Sequence, residues 1–426
     1  MSQGRDSPFV ALQHRNFRLL WGSQLVSMAG SMMQSAALLW HVSLLVPPER
    51  RGVALGLVGL VRVVPIIGFS LVAGVFADAH DRRRLMLVTQ VGMALSAGVL
   101  AWLTFAGVHA LWPVYLLAAT GAGFGAFDNP ARNALIPTLV PREQLASAIS
   151  LNTIMFQTAS VIGPALGGLV IGLWGVGWAY AANAVSFLCV IAALVAMRDL
   201  PPRAAGSTPK VGLGAAVDGL KFVFGAPLIR STMLLDFFAT FFASATALLP
   251  IFAQDVLHVG AHGYGLLAAA PSVGAILASI VMVRAVHRIE RRGAVLLWAV
   301  ALYGVTTVVF GFSRTFTLTF LCLALSGAAD TVSMVIRQIV RQLATPDHIR
   351  GRMTSVNMVF FMGGPQLGEL EAGLVAGAWG APFSVITGGL GCLVAVAWVA
   401  ARTPQLRGYR RSTPLTVDGD VGVAVQ

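Results

Sequence analysis

Four ionisable side chains stand where such groups are expensive. Arg62, Asp236, Glu369 and Glu371 each lie inside a long apolar run. A charge at the centre of a bilayer costs about 3 kcal/mol or more, so each is a candidate functional residue. Their chemistry is limited and specific. A carboxylate can take up and release a proton, and an oppositely charged pair can hold two helices together until protonation frees them. At 1.5 Å per residue, Arg62 lies about 14 Å from one end of its run, with Glu369 and Glu371 roughly 8–12 Å from the same side of theirs. Comparable depth and opposite charge predict a gate-closing ion pair from Arg62 to Glu369 or Glu371. The two glutamates project about 200° apart on a helix, which gives them different roles. Asp236 lies about 12 Å from the opposite side and is an alternative proton site.

The elements that must position these residues follow from composition. Hydrophobic residues make up 57% of the 426 and charged residues 11%, against about 25% charged in soluble domains. Twelve runs, from 17–46 to 382–401, have the roughly 20 residues needed to cross about 30 Å of hydrocarbon. The first is too long, and lacks the small-residue cleavage site, for a removable signal peptide. The expectation is an all-α, polytopic membrane protein with twelve transmembrane helices. Every Lys and Arg except Arg50, Arg51, Arg62 and Arg314 falls on one side of such a topology, which places both termini in the cytoplasm. The net charge of +12 therefore reports topology and contact with anionic lipid, not nucleic-acid binding.

The chain is duplicated. Residues 132–175 lie over 337–380 without a gap, and 11 of the 44 positions are identical, among them Arg132/Arg337, Gly163/Gly368, Gly168/Gly373, Trp174/Trp379 and Gly175/Gly380. A period near half the chain length means two related halves, and in membrane transporters the substrate site lies between them. The expected organisation is a six-helix half over 1–197, a linker over 198–227 with a short amphipathic helix near 217–224, a second half over 228–401, and a disordered cytoplasmic tail over 402–426. One mismatch inside the repeat is informative: Pro164 faces Glu369, which makes Glu369 the favoured proton carrier of the pair.

Two motifs carry a family resemblance. Gly74-Val75-Phe76-Ala77-Asp78-Ala79-His80-Asp81-Arg82-Arg83-Arg84 resembles the loop 2–3 signature of the major facilitator superfamily, with Ala79 and Asp81 departing from its common Arg and Gly. The Asp-Arg-Arg-Arg ending, His14-Arg15-Asn16-Phe17-Arg18-Leu19-Leu20-Trp21, and Phe127-Asp128-Asn129-Pro130-Ala131-Arg132 resemble the bacterial branch of enterobactin and macrolide exporters. The resemblance implies the major facilitator fold of two six-helix pseudo-repeats. It also implies a cytoplasmic gate of Gly74, Asp78, Arg82, Arg83, Asp128 and Arg132, with Asp78 capping helix 11 near Arg352 and Arg82 or Arg83 pairing with Asp128. Gly163-Pro164-Ala165-Leu166-Gly167-Gly168 is similar to the antiporter motif of that superfamily, with Ala159 in place of its upstream Gly. A Pro kinks a helix and small residues let a neighbour approach closely, as a sliding or sealing pair requires. The superfamily's usual helix-4 Arg is absent, with Leu117, Ala118 and Ala119 in that region.

No Walker loop, HExxH, GxSxG or metal-ligand cluster occurs, so neither an enzyme nor an ATP-driven pump is expected. The cysteines, Cys189, Cys322 and Cys392, lie in separate runs without CxxC spacing and read as buried small hydrophobes. Together these features imply a monomeric secondary exporter in the bacterial inner membrane. It would move a small amphipathic siderophore, drug or metabolite in exchange for protons, with no cofactor and no metal. An importer or facilitator of the same fold is the alternative, and a non-transporting sensor or lipid-handling protein a weaker one.

Overall fold

The computed structural model describes residues 9–198, 221, 223–243, 245–345 and 350–412, with backbone alone at 70–75, 77–79, 245, 350–352, 354–356 and 358–362. Most of the linker lies outside the described residues; of the helix expected near 217–224, residues 221, 223 and 224 are described and are helical.

Among the described residues twelve long helices cross the molecule: α1 Arg15–Leu45, α2 Arg51–Ala79, α3 Arg82–Phe105, α4 Leu111–Leu135, α5 Leu145–Trp174, α6 Val176–Ala196, α7 Pro227–Phe242, α8 Gly260–Ala285, α9 Arg292–Phe312, α10 Phe316–Ala344, α11 Arg350–Trp379 and α12 Ala381–Arg402. Among the described residues, nine spans have the length and apolarity to cross a membrane, and α1, α4 and α11 complete the set. Near its far end α7 continues through short turns to a π-helical segment, Phe252–Val256. The protein is a multi-pass membrane protein.

Sequence explains where helices stop. Asp81 is the N-cap of α3, its side chain accepting from the Arg84 N–H at 2.9 Å, which satisfies an otherwise orphan donor. The α5–α6 and α11–α12 turns pass through Gly175 (φ +90°) and Gly380 (φ +89°), a backbone region that favours glycine. These glycines are partners in the duplication, and Trp174 and Trp379 beside them are both exposed, as expected of interfacial aromatics.

The packing repeats as well. In the first half α1 packs on α5 and α6, α2 on α4, and α3 on α4 and α6; in the second, α7 packs on α11 and α12, α8 on α10, and α9 on α10 and α12. Cys322 and Cys392 are buried, whereas Cys189 is exposed on α6. Residues 404–408, inside the segment expected to be disordered, form a short helix. Leu406 and Tyr409 are buried there, and the Tyr409 carbonyl accepts from Gly293 N–H at 3.1 Å. These two apolar anchors explain why the chain stays docked. Residues 413–426 lie outside the described part.

Candidate gates along the seam between the halves

The halves meet along two equivalent crossings, α2 on α11 and α5 on α8. Both are made by glycines near the starts of α2 and α8 and in the later parts of α11 and α5. A Cβ on Gly373 would sit 2.5 Å from Gly56 Cα and from Gly52 O, and a Cβ on Gly168 would sit 2.7 Å from Gly265 Cα. Gly168 and Gly373 are partners in the duplication, so one backbone solution closes both crossings. Any side chain at these points would force the helices apart.

The antiporter-like motif divides between two neighbours. Gly163 and Gly167 lie against Ala29, Met32 and Met33 of α1, within the first half. Pro164 and Gly168 face α8 across the seam, with the Pro164 carbonyl 2.6 Å from where a Gly265 Cβ would lie. The matching slot on α11 holds Glu369. Its carboxylate stands beside Gly59, where a Cβ would meet Glu369 Oε2 at 2.8 Å. Arg62, one turn along α2, is the cation whose field reaches Glu369. Its side chain donates to Ser35 Oγ on α1 at 3.5 Å, and among the described residues the two are not within ion-pair distance. Glu371 is partly buried on another face of α11.

The far face is closed by a polar clasp that sequence reasoning missed. Arg51 Nη1 donates to both carboxylate oxygens of Asp255, at 2.8 and 2.9 Å, and Arg51 Nε to the Ser43 carbonyl at 3.0 Å. Gln254 donates to Ser43 Oγ at 2.7 Å, and Tyr264 to the Ala36 carbonyl at 2.9 Å while stacking on Trp40. One signal was available: Arg51 was among the few basic residues on the wrong side of the charge asymmetry. Beneath the clasp, one buried apolar cluster joins both halves, including Met33, Val58, Tyr180, Phe252, Tyr264 and Ala372.

The basic face differs. Among the described residues its apolar clusters belong to single halves, one around Phe17, Met86, Leu135 and Leu194, the other around Leu235, Leu296, Ile336 and Val399. Its gate candidates are held within the first half. Arg82 donates to the Ala134 carbonyl at 2.9 Å and Arg83 to the Val195 carbonyl at 3.1 Å, so each covers a helix C-terminus. Asp128 is buried and accepts from Thr89 and Gln90 of α3, at 2.9 and 3.0 Å, in place of Arg82 or Arg83. Arg132 donates to Gln24 on α1 at 2.9 Å and to Asn129. Gly74 is carried in α2 and Asp78 follows it one turn on, but the Asp78 side chain lies outside the described residues, as does that of Arg352. Asp236 is buried and pairs with Arg337 of α10 at 2.8 Å. His41 is also buried, bonded to the Tyr180 hydroxyl at 3.2 Å.

These features accord with known proteins. Residues 6–411 match the family of transmembrane secretion effectors. The chain is 25% identical over 350 residues to the enterobactin exporter EntS of Salmonella choleraesuis (strain SC-B67), covering 82% of this chain and 83% of the relative. Its fold resembles that of a bacterial homologue of the human lysosomal transporter Spinster in an inward-facing, unoccupied conformation, with TM-score 0.65, 15% identity, 97% of this chain and 100% of that one. A POT family transporter in complex with a thioalcohol-conjugated peptide gives TM-score 0.70 at 10% identity, over 92% of this chain and 96% of that one. At such identities the structural likeness speaks for fold alone. Relatives and family are transporters rather than enzymes, and with two pseudo-repeats meeting at a small-residue seam the chain belongs to the transmembrane secretion effector family of the major facilitator superfamily.

Proposed function

We propose that this efflux-type transporter exports a small amphipathic compound in exchange for protons, with its basic face and both termini in the cytoplasm of a bacterium and the chain in the inner membrane as a monomer. One observation supports the reading above all: the apolar core is continuous between the halves at the far face and separate in each half at the basic face. That is the arrangement of a carrier sealed to the outside and ready to load from the cytoplasm. Rocking the halves about the two glycine crossings would open the far face and close the basic one.

Glu369 is the coupling candidate at the outer gate, with Arg62 as its counter-charge, Glu371 an alternative and Asp236 a further one. A carboxylate in the seam is exposed to the far side only when the crossing opens, so its protonation is linked to the state of the gate. Closing the basic face would bring Asp78 to α11 and re-sort the contacts of Arg82, Arg83, Asp128 and Arg132. The relatives named enterobactin exporters make a siderophore the first substrate class to try. Inverted vesicles with an acidic lumen should accumulate labelled enterobactin or an amphipathic dye. A pH difference of about two units supports about 100-fold accumulation per proton exchanged, at tenfold per unit. Uptake that is indifferent to the gradient for every compound, or that needs the reverse gradient, would overturn the reading.

A further inference from the structure

Arg132 and Arg337 are partners in the duplication and make the same reach with different chemistry. Each runs from the fourth helix of its half to the first, α4 to α1 and α10 to α7. Arg132 meets amides: Gln24 at 2.9 Å, and Asn129 on its own helix. Arg337 meets carboxylates: Asp236 at 2.8 Å, and Asp330 on its own helix at 3.5 Å. Gln24 and Asp236 occupy corresponding places, each in the second turn after an arginine, Arg18 and Arg230. Amides do not titrate at physiological pH and carboxylates do. The symmetry is kept in the reach from the fourth helix to the first and broken in protonation. The partner on the arginine's own helix also differs in place, three residues before Arg132 and seven before Arg337.

The surroundings of the second set suit proton exchange. Asp236 and Arg337 are 3% and 2% exposed. The 2.8 Å approach between them is an ion pair without hydrogen-bond alignment, and Arg337 Nε and Nη1 have no acceptor among the described residues. A buried guanidinium held by two carboxylates, with donors to spare, can shift its weight from one to the other. Asp330 stands at the midpoint of α10, where it lines a cavity of about 120 Å³ with Thr246, Tyr303, Thr306, Thr307 and Ser326. That volume has room for several waters, each needing about 30 Å³, and the hydroxyls supply partners for them. The other charged or titratable groups in the cluster are Arg341 of α10, Tyr303 of α9 and Cys392 of α12. Arg341 is bonded to Asn357 and Gln338, and the Tyr303 hydroxyl to the Ala243 carbonyl. The two aspartates remain as the groups that exchange a proton.

We infer that Asp236, Arg337 and Asp330 form a proton-binding site in the second half, and that Gln24, Arg132 and Asn129 are its non-titrating counterpart. A proton added to the Asp236 carboxylate gives the neutral acid, and Arg337, still charged, transfers to Asp330; loss of that proton reverses the exchange. This rests on the proton-exchange reading above and is distinct from the gate at Glu369. The test is Asp236→Gln, which copies the first half, with Asp236→Glu as the conservative variant. In inverted vesicles loaded with enterobactin, the wild type should show about 100-fold accumulation for a two-unit pH difference. Asp236→Gln should fall to about 1-fold, while exchange of labelled for unlabelled enterobactin at zero gradient, which needs no net proton movement, persists. Asp236→Glu should keep the gradient response with a displaced pH profile. Purified transporter in nanodiscs should release protons on adding enterobactin, and Asp236→Gln should release fewer. Gradient-driven accumulation and proton release at wild-type levels in Asp236→Gln would overturn the inference while leaving proton-coupled export standing. A wild type without any gradient response would remove the underlying reading instead.

Discussion

Glu369 on α11 lies directly against Gly59 on α2, so close that a methyl group on the glycine would come within 2.8 Å of Glu369 Oε2 and 2.7 Å of the Gln366 carbonyl. The second of these contacts is backbone and cannot swing aside. A larger side chain therefore separates the helices at this level rather than reshaping one rotamer. Gly59→Val should cost about 1–3 kcal/mol in the far-closed state, the usual range for overpacking. That shifts the two-state population by roughly 5- to 150-fold toward far-open. Accessibility of a single cysteine at position 58 to an impermeant thiol reagent added from the far side reports the shift. Unchanged labelling would mean that this crossing does not act as the gate.

Glu369→Gln keeps the shape of the side chain and removes the proton. Expression and membrane insertion should match the wild type, since the site is a polar group in a seam and not part of the buried core. Gradient-driven accumulation of the exported compound should be abolished. Undiminished accumulation in this variant would take Glu369 out of the coupling mechanism.

The clasp at the far rim should be weak by itself. The Asp255 side chain is 44% exposed, and exposed ion pairs contribute about 0–1 kcal/mol. A gate that opens on every cycle needs closure of this modest size. Arg51→Ala and Asp255→Ala should each raise far-side labelling by no more than about 5-fold. The double variant should do little more than Arg51→Ala alone, which removes the ion pair together with the bond to the Ser43 carbonyl. Strictly additive effects of the two changes would show that Arg51 and Asp255 act independently.

The scaffold was legible because it is written in strong signals. Twenty-residue apolar runs and the ungapped duplication determine the helices and their pairing, and the glycines at 168, 373, 175 and 380 mark crossings and turns. Electrostatic partners were harder to read. Arg62 and Glu369 share depth and opposite charge, yet Ser35 takes the hydrogen bond, because azimuth around a helix and side-chain reach are not fixed by counting residues. Arg82 and Arg83 found helix C-termini, and Asp128 found Thr89 and Gln90, since any of several polar groups at one membrane depth can satisfy a charge. Arg51 and Asp255 are 204 residues apart in the chain and meet only because the halves meet. Asp236 was picked out by its burial in an apolar run and Arg337 as the twin of Arg132, but nothing in the sequence indicated that the two meet.

The paired turns offer a clean test of the duplication in energetic terms. Gly175 and Gly380 have nearly equal positive φ, and a Cβ built at either meets nothing closer than 4.0 Å. Substitution by Ala therefore brings no steric clash with neighbours, only the backbone strain of a positive-φ, extended-ψ conformation that is essentially glycine's alone, about 1–3 kcal/mol. Gly175→Ala and Gly380→Ala should lower the thermal unfolding midpoint of the detergent-solubilised transporter by similar amounts. The combined variant should lose the sum, because the two turns belong to different halves and share no contacts. Transport per folded molecule should be retained, since both turns lie at the ends of helices, one turn beyond the last glycines of the crossings. A large loss from one substitution and none from the other would mean that the halves, though matched in sequence and backbone, distribute stability unequally at their ends.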